Sequence, residues 1–364
     1  MKNLFTKPLK LIPNLRVETS QAQVGYTWGK IAEESNILTT INPEFLDLID
    51  PIQDDDIVAE RWICSDDREL GSKVMIRDGK AKLLATLIEK HTKEILGPTH
   101  LAKFGPYLGC IMKQLDTNPL PHKGSLSVQV HPQVGHPTRP SKPEMWKGMG
   151  QVYLGWNKNV DEKEITQACQ ENNLEKLMNL LDLKDQYILV KGGMIHAIRY
   201  NSYLFEWSKA PDAVDIKKGN IKDATISPYD RTDGKTPRPG KENLADTFEV
   251  LRHARAFKKS PINELVTTIK LLNQDQERNK KTRLFTTPDV CVDQLEVQTE
   301  MELSLKDRGL PLYLEKGEVA ILNQAGEVID QLVAGDERFL PFVLEKITLK
   351  ALQPSLLQTW WRPF

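Results

Sequence analysis

Gln129 and His131 stand two residues apart in Ser125-Leu126-Ser127-Val128-Gln129-Val130-His131, which alternates polar and apolar residues throughout. Successive side chains of a β-strand leave by opposite faces. Ser125, Ser127, Gln129 and His131 therefore share one face, and Leu126, Val128 and Val130 the other. The apolar face is expected to pack on another sheet, leaving the polar face to look into a cavity. Two further segments offer donors of the same kind. Glu144 opens a strand (Glu144-Met145-Trp146) after a proline-rich loop, Pro132 to Pro143, that can fold back beside the first strand. His196 begins another strand after the Gly192-Gly193 turn, and tight turns at a barrel mouth commonly present ligands. Two imidazoles, a carboxylate and an amide oxygen form a mixed N/O set suited to zinc with positions open for water or substrate. Two histidines and one carboxylate also suit Fe(II), so ligand type alone leaves the metal open. His136, in the proline-rich loop, lies outside this arrangement.

The elements that must position these groups follow from periodicity. Ile57 to Cys64 reads as a strand, β-branched and aromatic-rich, and Tyr107 to Leu115 as a short apolar stretch. Between them, Leu84, Leu87, Ile88, His91 and Ile95 recur at helical spacing from Lys80 to Leu96, with Gly97-Pro98 as the stop. After Gln151 to Trp156 the β pattern is interrupted. Asp161 with Glu164 has the form of a capping box, and Leu174, Leu177, Leu180 and Leu181 mark a second stripe, so 161–181 is read as a helical insertion. Strands resume at Tyr187 to Val190, Ile195 to Ile198 and Tyr203 to Trp207. Residues 208–242 are polar and Pro/Gly-rich and are read as a long loop, a feature that is often functional. From Phe285 onward, short strands at turn-separated intervals fit a β-sandwich or barrel, without histidine and read as structural.

Composition bounds the rest. The 364 residues allow two or three units. Hydrophobic residues at 40% and charged residues at 27% are ordinary for a globular chain. With 49 basic against 50 acidic residues there is no global field for nucleic acid or an acidic membrane. Cys64, Cys110, Cys169 and Cys291 are scattered and read as reduced thiols. Pro8 and Pro13 break the N-terminal segment before a signal-peptide core could form, and no apolar run approaches the ~20 residues of a membrane span. A cytoplasmic protein is expected, acting on a small molecule. Its oligomeric state is not legible.

Ser125-Leu-Ser-Val-Gln-Val-His-Pro132, Ser141-Lys-Pro-Glu-Met-Trp146, Tyr153-Leu-Gly-Trp156 and Gly192-Gly-Met-Ile-His-Ala-Ile198 resemble, in order and spacing, the signatures of type I mannose-6-phosphate isomerases. These are zinc enzymes of the cupin superfamily. Glu60-Arg-Trp-Ile-Cys-Ser65 and Ile111-Met-Lys-Gln-Leu-Asp116 are weaker echoes. The resemblance implies an all-β protein with helical insertions and two cupin (jelly-roll) barrels, only the first with a metal. The expected units are an N-terminal part, 1–120, packing on a catalytic cupin, 121–255, followed by a metal-free cupin, 256–364. It implies one zinc ion per chain on Gln129, His131, Glu144 and His196. The implied reaction is the interconversion of mannose 6-phosphate and fructose 6-phosphate through an enediol, a step of carbohydrate metabolism. Ser125 and Lys142 lie in the matching motifs and are the expected substrate contacts, Lys142 also catalytic.

The chain departs from the family after His196. Shorter members read Glu-Ile-Gln-Gln, a turn, then Thr-Tyr-Arg, with the arginine in the active site. Here Glu206-Trp-Ser-Lys-Ala-Pro-Asp212 follows, and ungapped counting puts Ile216 at the arginine's place. Glu206 matches as a catalytic residue. Arg231, in a later segment that resembles the family, is the first replacement for the arginine. Lys209 is the second, as a substrate contact, and Lys217 and Lys218 are further cations of the same loop. The alternatives are an isomerase of another aldose, and a non-catalytic zinc cupin that binds a sugar or sugar phosphate.

Overall fold

The alternating segments pair into three antiparallel sheets. A computed structural model describes residues 4–19, 26–76, 80–118, 125–184, 186–210, 224–229, 243–265, 270–274 and 278–364. A seven-stranded sheet runs Ile188–Val190, Glu144–Met149, Tyr203–Lys209, Cys110–Asp116, Ile57–Ile63 and Asn14–Glu18, with Lys30–Ile31 also on the fifth of these. A five-stranded sheet runs Met178–Asp182, Gln151–Trp156, His196–Ile198, Val128–Val130 and Ile226–Tyr229. The third, eleven-stranded sheet is built mainly from the C-terminal part, including the long strands Leu310–Leu322 and Lys346–Trp361. The protein is mostly β, as its alternation predicts.

The seven-stranded sheet lies in the middle, and both of its faces are buried. Trp146, Leu204 and Leu115 on its inner face share a core with Val152, Leu154 and Ile198 of the five-stranded sheet, so these two sheets close on each other. Met112, Met145, Phe205 and Trp207 leave by the outer face and pack with Phe285, Val292, Tyr313 and Trp360 of the C-terminal sheet. A separate apolar core, with Leu295, Val319 and Leu349, lies within the C-terminal part. The first strand, Leu9–Ile12, pairs with Glu337–Leu340 and with Lys73–Met75. The N-terminal strands are thus divided between two sheets.

Several local expectations are corrected. Val128 and Val130 pack not on a sheet but on Ile165 and Ala168 of the helix Glu162–Gln170 and on Val250 and Leu251 of the helix Leu244–Ala254. Leu126 instead joins the core between the sheets. The capping box at Asp161 and Glu164 forms, with each side chain bonded to the other's backbone N–H. Helix then gives way to one 3-10 turn, Leu174–Leu177, and Leu180 and Leu181 fall on the strand Met178–Asp182, where pairing with Gln151–Trp156 overrides their apparent helical spacing. The segment 80–96 is a short strand and two helices, Leu84–Lys90 and Thr92–Ile95, broken at His91, whose ring lies 4.9 Å from that of Phe5. The expected loop 208–242 contains strand at both described ends, through Lys209 and at Ile226–Tyr229. Its polar composition hid the second of these. Lys217, Lys218 and Arg231 lie outside the described residues.

Candidate metal centre

His131 and His196 come from the five-stranded sheet, and Glu144 from the sheet facing it. His196 is the cross-strand partner of Gln129, which puts those two side chains on one face, and His131 follows Gln129 by two residues. Two contacts fix the histidine strands to each other. The Gly193 N–H donates to the His131 carbonyl at 2.6 Å, and Gly192 runs so close to Gln133 that a Cβ there would lie 2.4 Å from its Cα. Gly193 has φ +82°, a left-handed conformation that favours glycine. The Gly-Gly turn is therefore what brings His196 beside His131.

The three residues converge in the interior, each at most 3% exposed. Their nearest donor atoms lie within 4.8 Å of one another. The imidazole centroids are 4.7 Å apart. His131 Nδ1 donates to the Ala224 carbonyl (2.9 Å) and His196 Nδ1 to the Met194 carbonyl (2.8 Å). Those bonds place a proton on each Nδ1 and turn each Nε2 toward Glu144. Neither Nε2 makes a hydrogen bond of acceptable geometry. Yet His131 Nε2 stands 2.9 Å from Glu144 Oε1, and His196 Nε2 stands 3.8 Å from Oε2. Two buried ring nitrogens without a hydrogen bond, both turned toward one carboxylate, fit a divalent metal held between them. Gln129 is half-buried on the same face.

The electrostatics agree. Burial drives the His196 pKa down to about 3, so its ring is neutral and able to ligate. Burial alone would raise Glu144, but the positive charge of Lys142 beside it outweighs that and holds the carboxyl well below the usual range. Lys142 Nζ lies 2.7 Å from Glu144 Oε1. Trp146 Nε1 donates to Glu144 Oε2 at 3.1 Å, orienting the carboxylate from its own strand.

A row of polar side chains continues from Glu144 across the inner face of the seven-stranded sheet. Cross-strand register places Ser208 opposite Glu144, and Glu206 between Trp146 and Lys113. Ser208 Oγ donates to Glu206 Oε1 at 3.0 Å. Lys113 Nζ is 3.9 Å from both Glu206 and Glu60. Burial raises the Glu206 pKa, and the charge of Glu144 raises it further. Burial works against a charged Lys113, but Glu60, Glu206 and Glu144 outweigh it and raise its pKa. Beyond Lys113, the guanidinium of Arg16 stacks on Trp62 at 3.9 Å. Glu60, Lys113 and Ser208 were not identified from sequence as site residues. Their signal was a charge interrupting an apolar strand (Lys113 in Cys110–Asp116), readable only once the strand's inner face was known.

Two expected substrate contacts have partners of their own. Ser125 Oγ donates to Glu175 Oε1 at 3.2 Å. Ser127 is buried. Lys209 follows Ser208 and so leaves by the outer face, where its Nζ sits 3.8 Å from Asp289 Oδ1. His136 stacks edge-on against His253, centroids 4.8 Å apart, outside the converging set.

Comparison with known proteins bears on the fold. No family profile matches the chain, and no curated protein matches it in sequence. Solved structures do match. The mannose 6-phosphate isomerase of Bacillus subtilis superposes with a TM-score of 0.67 at 17% identity, over 97% of this chain and 99% of that one. A phosphomannose isomerase variant from Salmonella typhimurium gives 0.69 at 14% identity, over 98% and 100%. A mannose 6-phosphate isomerase bound with zinc and yttrium gives 0.66 at 14%, over 98% and 100%. The chain shares their fold over 97–98% of its length. Among the described residues, no helix is long and apolar enough to cross a membrane.

Proposed function

We propose that this protein is a zinc-dependent aldose–ketose isomerase that interconverts mannose 6-phosphate and fructose 6-phosphate through an enediol. The observation that carries the reading is the pair of buried, unbonded Nε2 atoms converging on Glu144, in a fold shared with mannose 6-phosphate isomerases. His131, Glu144 and His196 are the proposed zinc ligands, with Gln129 as the fourth donor. A zinc ion there supplies a Lewis acid for the sugar's C1 and C2 oxygens. Glu206, its acidity weakened by burial, is the group we assign to carry the proton from one carbon to the other. Lys113, 3.9 Å from Glu206, keeps a positive charge that we assign to stabilising the negative charge that develops on the sugar oxygen. Lys142 is the cation proposed for the phosphate, and Arg231 the replacement for the arginine that the family carries in its active site.

One observation favours a second reading, in which the sugar is not phosphorylated. Ser125 and Lys209, two of the expected phosphate contacts, are committed to Glu175 and Asp289. Turnover by zinc-replete protein, measured side by side on mannose 6-phosphate and on free mannose, separates the readings. Preference for the phosphate ester supports the first and preference for mannose the second. Absence of turnover on either, with zinc bound, moves the protein to a sugar-binding role.

A further inference from the structure

Lys209 and Ser141 share a partner that belongs to neither of the two facing sheets. Ser141 Oγ donates to Asp289 Oδ2 at 2.8 Å, and Lys209 Nζ lies 3.8 Å from Oδ1. All three residues are at most 9% exposed. Asp289 sits at the tip of the hairpin between Lys280–Thr286 and Cys291–Val297, in the C-terminal sheet. That tip is braced. Thr287 N donates to the Val290 carbonyl at 2.9 Å, and Thr287 Oγ1 accepts from the N–H groups of Asp289 and Val290 at 3.2 and 3.0 Å.

The two segments that Asp289 grips end at the centre. Ser141 precedes Lys142 by one residue and Glu144 by three. Lys209 directly follows Ser208, the cross-strand partner of Glu144 and the donor to Glu206. A single carboxylate from the C-terminal part thus closes the end of the Glu144–Ser208 strand pair. We infer that Asp289 is a positioning residue for the centre: it holds the Glu144 segment against the Glu206 strand, so that Glu144 and Lys142 are preset for the cation. This gives the part of the chain without metal-ligating histidines a direct share in the site, and it gives Lys209 a structural use in place of a substrate contact. The inference rests on the zinc reading proposed above.

The test is the zinc dissociation constant, by chelator competition, beside the melting temperature of the zinc-free protein. Partners that orient a metal site typically cost 10- to 100-fold in affinity when removed. Asp289→Ala is expected to weaken zinc about tenfold. Ser141→Ala should weaken it severalfold with little change in melting temperature, and Asp289→Asn, which keeps an acceptor for Ser141, should fall between wild type and Asp289→Ala. Leu349→Ala, in the C-terminal core and fully buried, is the control for general loss of stability: it should lower the melting temperature and leave zinc affinity at the wild-type value. If Asp289→Ala does not fold, Asp289→Asn and Ser141→Ala carry the test. Wild-type affinity in the Asp289 and Ser141 variants overturns the inference and leaves the zinc reading standing, as does equal weakening by Leu349→Ala. A wild-type protein that binds no zinc removes both.

Discussion

At the residue scale, the centre depends on which nitrogen of each histidine is free. The carbonyls of Ala224 and Met194 hold both Nδ1 protons, so each ring offers Nε2. His131→Ala or His196→Ala is therefore expected to remove most bound zinc, and elemental analysis of purified protein checks it. His136→Ala should keep the wild-type content, and near-stoichiometric zinc in both of the first two variants would end the assignment. Lys113 carries a second expectation. If its charge stabilises the developing oxyanion, Lys113→Met lowers kcat by ~100-fold or more and moves KM far less. An unchanged kcat on mannose 6-phosphate would return Lys113 to a purely structural pairing with Glu60 and Glu206.

At the scale of elements, buried polar groups make the fold sensitive to pH away from the centre. His100, in the helix Pro98–Phe104, is 3% exposed, and its Nε2 lies 2.7 Å from the Tyr107 carbonyl, to which it donates. Burial, aided by Arg362 and Arg308, lowers its pKa to about 4 from 6.5. Between those values the unfolded chain binds a proton that the folded chain does not. Stability from this residue is thus complete above pH ~6.5 and falls as the pH drops toward 4. At pH 4.5 the loss is about 2 kcal/mol relative to pH 7. Urea denaturation of wild type and His100→Gln at both pH values should show the wild type losing that much more. Equal losses would mean that His100 takes up a proton without unfolding cost.

At the scale of the whole molecule, the seven-stranded sheet is held from outside by a charged pair as well as by apolar packing. Arg61, fully buried on its outer face, donates to Glu337 Oε1 at 3.1 Å and to the Gly335 carbonyl at 2.8 Å. Glu337 also accepts from the Cys64 N–H at 3.1 Å. Removing one member strands the other in the interior, so Glu337→Leu is expected to cost about 3–5 kcal/mol in urea denaturation. Arg61→Leu combined with Glu337→Leu should recover much of it, because no lone charge is then buried. A double variant as unstable as the single one would show that Arg61 acts mainly through Gly335.

The sequence by itself determined the donors and the faces they leave by. A period of two is a local property of the chain, so Gln129-x-His131, the strand starting at Glu144 and the Gly192-Gly193 turn before His196 could all be read without knowing what they meet. The capping box at Asp161 was legible for the same reason: its bonds close within three residues. Only the tertiary structure decided partners distant in sequence. It placed Glu144 on the sheet facing the histidines and put Lys113 between Glu60 and Glu206. It sent Lys209 to the outer face toward Asp289, 80 positions along the chain, and tied Ser125 to Glu175. It also made 226–229 a strand, because pairing with Val128–Val130 supplied backbone partners that a polar, proline-containing segment does not advertise. Which face a strand uses is written in its own alternation, whereas what stands opposite is set by register and sheet order, and these depend on burial summed over the whole chain.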